Sequence, residues 1–154
     1  CRMAAMGAMR SYIGGALAAL ILAVPAGADS LRPRVSPAAA SAFGDRAVEQ
    51  VRLFATCAGR LSASIEHVWL IGQGNGNLDA AHRRSFDALI EAVLPDAEAA
   101  GFSGKQVWHL RIVAKAAQAR LLQTAAFHTD QRRARAAGRL AIRQMSTCEA
   151  LLLG

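Results

Sequence analysis

Apolar positions recur at three- and four-residue steps through four separate stretches of this chain, and that spacing predicts helices. Leu53, Cys57, Leu61, Ile65 and Val68 make one apolar face of a first helix. It is expected to start near Gly44-Asp45, with Asp45 as its cap, and to end at about Ile71. Phe86, Leu89, Ile90 and Val93 form the buried side of a second helix from about Leu78 to Leu94. Pro95 lacks an N–H and clashes with the preceding turn, so it should stop regular continuation. Asp96 to Ala100 then adds one turn at most, and Gly101 ends it. A third helix from Gly104 to about Phe127 carries a narrower stripe of Val107, Leu110, Ala114, Ala117, Leu121 and Ala125. A fourth follows the break His128-Thr129-Asp130 and runs to about Leu152, with Ala141, Met145, Cys148 and Leu152 on one face.

The third helix has the best-defined start. Ser103-Gly104-Lys105-Gln106 fits a capping box, and Phe102 and Val107 stand where a hydrophobic staple places them. Between the first two helices, Gly72-Gln73-Gly74-Asn75-Gly76-Asn77 is a sharp break. A phosphate-cradling loop needs a preceding strand and a Gly-Lys-Ser/Thr run. Neither is present, and the segment reads as a turn. Four helices with short connections predict an all-α, up-down-up-down four-helix bundle. The single domain is expected over residues 44–154, behind a flexible lead-in over 29–43 that holds Pro33 and Pro37.

The first 28 residues belong to none of these elements. Met9-Arg10 opens a positively charged start, Ile13 to Val24 is a short apolar run, and Ala26-Gly27-Ala28 is an Ala-x-Ala cleavage site. That is the layout of a secretory signal peptide over residues 1–28, with Met9 as the expected true start. The apolar run is too short to cross a bilayer as a helix. The expected product begins at Asp29, has no transmembrane segment, and is periplasmic or secreted. Export changes the meaning of the cysteines. Cys57 and Cys148 remain after cleavage, and a distant pair in an oxidising compartment predicts a disulfide. It would join the first and fourth helices and close a loop of about 90 residues, worth roughly 4 kcal/mol by chain entropy.

Composition supports the helical reading, since the apolar content is largely Ala and Leu with few aromatics. The chain carries a net charge of +7, and from Asp29 onward 16 basic and 11 acidic residues leave +5. That charge is uneven: residues 29–100 sum to −2 and residues 101–154 to +7. A basic half either meets an anionic partner or faces the acidic half of its own fold.

Candidate chemistry is sparse. His67, His82, His109 and His128 include no pair at i, i+3 or i+4, so no metal site is assigned. His67 or His109 opposite Met145 across the bundle is the one combination suited to an axial haem pair or another core ligand. No cofactor motif and no catalytic constellation is present, which weighs against an enzyme. Trp69 near the end of the first helix and Trp108 near the start of the third should lie at opposite poles. Arg132, Arg135, Arg139 and Arg143 step by three and four residues into one stripe along the fourth helix. Such a stripe suits anionic groups. Outside the cytoplasm those belong to an acidic envelope protein or an anionic lipid surface rather than nucleic acid. The sequence therefore predicts a non-enzymatic interaction module acting through this stripe. The alternative is a bundle that binds a ligand, metal or haem through His67, His109 and Met145.

Overall fold

The computed structural model describes residues 37–153 apart from Gln73 and Asn75. The expected signal peptide and the first part of the lead-in lie outside these residues. Four helices are present: α1 Pro37–Ile71, α2 Asn77–Ala99, α3 Gly104–Phe127 and α4 Gln131–Leu153. No strand occurs among the described residues.

Two boundaries differ from the sequence expectation. α1 begins at Pro37, seven residues before Gly44, so the second half of the expected lead-in is helical and Asp45 lies within the helix. Proline is suited to a first helical position, where its missing N–H has no partner to lose. The alanines that follow are the best helix formers. The second difference is Pro95, which sits inside α2 without ending it. Only the last turn lies beyond it, and that turn is fastened by a Schellman motif. Phe102 N–H donates to Ala97 O and Gly101 N–H to Glu98 O, both at 2.9 Å. Gly101 takes φ 89°, a left-handed value that favours glycine. Phe102 anchors the corner in the core.

The next start matches its sequence signature. Ser103 N–H donates to Gln106 Oε1 at 2.8 Å, and Phe102 and Val107 are both buried. Asp130 caps α4: its Oδ1 accepts from Arg132 N–H at 2.8 Å.

α1 is the organising element. It packs along both α2 and α3, whereas α4 lies chiefly on α3 and meets α1 and α2 over a small area. In a square up-down-up-down bundle the first and third helices stand on a diagonal. Here they form one of the two largest helix–helix contacts. Being covered on more than one side, α1 buries Ala47, Val51, Ala55, Cys57, Ala58, Leu61, Ala63 and Ile65, while Leu53 from the expected face is exposed. Phe86 and Ile90 of α2 are buried as expected.

Small residues set the spacing of the seam between α1 and α3. A methyl group at Gly59 would stand 2.3 Å from Arg111 O, so the two backbones touch there. The Cys57–Cys148 disulfide forms as expected, with Cα atoms 5.5 Å apart, and pins α4 to the middle of α1. One core position is polar. Gln118 is fully buried; its Nε2 donates to Ala141 O at 3.4 Å, and its Oε1 has no hydrogen-bond partner.

Candidate functional site

Two cationic regions stand out, and they are built differently. The first is the stripe on α4. At 100° per residue, Arg132, Arg135, Arg139 and Arg143 fall within roughly 80° of one another. They lie opposite the side that buries Ala134, Ala137 and Ala141 against α3. All four are exposed, and no carboxylate among the described residues stands within 4 Å of their guanidinium groups, although Asp130 caps the helix at the Arg132 backbone N–H. Arg133, off the stripe, is 3.9 Å from Asp130. The stripe therefore keeps its charge facing outward.

The second region is a groove of about 560 Å³ formed by α1, α2 and α3. Trp69 and Trp108 both line it, with Glu66, Arg83, Arg111 and Lys115. The tryptophans thus share one site instead of lying at opposite poles. The cause is the length of α1, about 52 Å at 1.5 Å per residue. α3 starts beside the middle of α1, where the Arg52 guanidinium lies 5.0 Å from the Phe102 ring centroid. Trp108, one turn into α3, then faces the C-terminal half of α1, which carries Trp69. Both indoles are about two-thirds exposed, at 67% and 65%.

Ion pairs cross this groove. Lys115 Nζ is 2.5 Å from Glu66 Oε1, and Arg111 Nη2 is 2.7 Å from Asp87 Oδ1, though the latter is misaligned for a hydrogen bond. These are the contacts in which the basic half of the chain faces the acidic half. Arg83 is different. No carboxylate among the described residues pairs with it, and its Nε is buried with no hydrogen-bond partner.

The three core-ligand candidates do not converge. His109 is exposed and lines a small surface hollow with Arg52, Phe102 and Lys105. Met145 lines a separate cleft with Ser64, Asp79 and Gln118. His67, half-buried on α1, lines neither. No group of three or more His, Cys, Asp or Glu among the described residues could hold a metal ion. Asp79, near the start of α2, accepts a hydrogen bond from Ser64 Oγ at 2.5 Å and thereby ties α2 to α1. Beside the disulfide, the half-buried Arg60 has its pKa lowered by desolvation, and its Nη1 lies 4.0 Å from Cys148 Sγ. No helix among the described residues is long and apolar enough to cross a membrane.

Compared with protein-family models, curated proteins and solved structures, the chain matches none.

Proposed function

We propose that this chain is a small exported protein, freed of residues 1–28, whose alternating up-and-down helices carry a non-enzymatic interaction surface on α4. The surface is the stripe of Arg132, Arg135, Arg139 and Arg143, and its partner is an anionic face of the cell envelope, either acidic protein or lipid headgroups. One observation carries the reading. Arg111 and Lys115 on α3 are matched by Asp87 and Glu66, while the stripe is exposed and no carboxylate among the described residues stands within 4 Å of its guanidinium groups. A disulfide is compatible with the oxidising compartment that export implies.

The test is co-sedimentation of the purified protein with vesicles of phosphatidylglycerol and phosphatidylcholine, beside pure phosphatidylcholine vesicles and soluble polyglutamate. Each arginine near an anionic surface contributes about 1 kcal/mol at physiological ionic strength, and the contribution falls as salt rises. Binding to the anionic vesicles or to polyglutamate that is lost in high salt supports the reading and separates the two partner classes. Equal binding to neutral and anionic vesicles, or none to any anion, refutes it.

A further inference from the structure

We infer that the groove between α1, α2 and α3 is a binding site for a small amphipathic monoanion: one carboxylate, held by Arg83, on an apolar body that lies between Trp69 and Trp108. Size, apolar area and charge all bear on this.

The groove encloses about 560 Å³, inside the usual range for small-molecule sites. Its apolar wall is unusual for this chain. The protein has two tryptophans in 154 residues, and both line this one groove. Each stands about two-thirds open to solvent, and Ile112 beside them is also exposed. Large aromatic surface gathered at one concavity is the usual mark of an apolar guest.

Charge then narrows the guest. Three cations line the groove, and two of them are already matched, Lys115 by Glu66 and Arg111 by Asp87. Arg83 is left over, so the site has room for one negative charge. A dianion such as a phosphate monoester would bring a second charge with nothing to meet it. Arg83 lines the groove while its Nε is buried without a partner, so the part of the guanidinium left to meet a guest is its Nη end. A carboxylate has the geometry that suits a guanidinium. The groove is also held in shape before any guest arrives. Its floor includes Gly59, where the α1 and α3 backbones touch, so little ordering is needed on binding.

Because both indoles are in the groove, the protein's own fluorescence reads occupancy directly. The experiment titrates the purified protein with 4-phenylbutyrate, indole-3-acetate and decanoate, following tryptophan emission for the first and last. Indole-3-acetate, itself fluorescent, is followed by calorimetry. The neutral 4-phenylbutanamide is the matched control. The expected result is saturable binding of at least one acid below about 1 mM, with the amide at least about 10-fold weaker than 4-phenylbutyrate. Decanoate alone marks acyl carboxylates as the natural class; the aromatic acids alone mark those instead. Arg83→Gln should abolish the preference for acid over amide, and Arg83→Lys should restore part of it. Trp69→Phe and Trp108→Phe should each leave one responding indole. No saturable binding of any acid, or equal binding of acid and amide by the unaltered protein, overturns the proposal. That comparison needs no variant, so it holds even where Arg83→Gln folds poorly.

Discussion

The stripe on α4 and the groove under the tryptophans are both cationic, yet they use charge in opposite ways. On α4, four arginines come from one helix, face away from the core, and form no ion pair with a carboxylate among the described residues. In the groove, the cations come from two helices, and two of the three are consumed by internal ion pairs. One region holds four guanidinium groups without an ion pair; the other holds a single unmatched cation beside aromatic walls. A count of cations alone does not separate them, since each region gathers several. The separation comes from which carboxylates the fold brings within reach.

The two regions also depend on different parts of the scaffold, which gives ways to pull them apart. The largest effect is expected from the disulfide. Replacing Cys57 and Cys148 together by serine should cost about 4 kcal/mol and lower the Tm by roughly 10–20 °C. α4 loses its fastening to α1, so the stripe should loosen first, while tryptophan emission from the groove stays native below the transition. Thermal melts by circular dichroism and by fluorescence would check this; coincident early loss of both signals would contradict it.

The seam between α1 and α3 should respond next. Gly59→Ala forces a methyl into Arg111 O and is expected to cost about 2–3 kcal/mol and to perturb the groove. Gly138→Ala in α4 is the matched comparison. Its new methyl would meet Ala125 Cβ at 3.6 Å, ordinary packing, so the gain in helix propensity should stabilise by about 0.5–1 kcal/mol. Denaturant unfolding of the pair should therefore move the midpoint in opposite directions. The smallest effect concerns Gln118, buried between the two regions with its Oε1 unpaired. Gln118→Leu removes that acceptor and should be neutral or stabilising by about 1 kcal/mol, without altering either surface. A clear destabilisation would show that the amide is satisfied in solution.

How far these features could be read in advance follows from how local they are. The Ser103–Gln106 box and the Gly101 terminus depend on residues a few positions apart, and the structure places them as the spacing implied. The disulfide was legible because only two cysteines remain past residue 28. Pro37 and Pro95 depart from expectation for one reason: a proline signals a break by itself, but the first opens a helix and the second is followed by a firmly capped last turn. The groove was hidden. Its pieces lie on three helices, and the meeting of Trp69 with Trp108 depends on α3 starting beside the middle of α1. Equal helices with level ends put them at opposite poles. The overlong α1 supplied the only hint, in the run of alanines after Pro37. The separation of His67, His109 and Met145 was equally out of reach, because it follows from neighbour order and not from spacing along a helix.

If α4 carries the proposed surface, its unmatched arginines, and not basic charge in general, make the binding surface. The most direct measurement is the affinity for phosphatidylglycerol vesicles of two variants against the unaltered protein. Arg135→Glu/Arg139→Glu reverses two stripe charges, and Arg111→Gln/Lys115→Gln removes two that are internally paired. At about 1 kcal/mol per charge at the surface, the stripe variant should bind at least about 30-fold more weakly. The paired-cation variant should change by less than about 3-fold. Equal losses in the two variants, or an unchanged affinity when the stripe is reversed, would contradict the account.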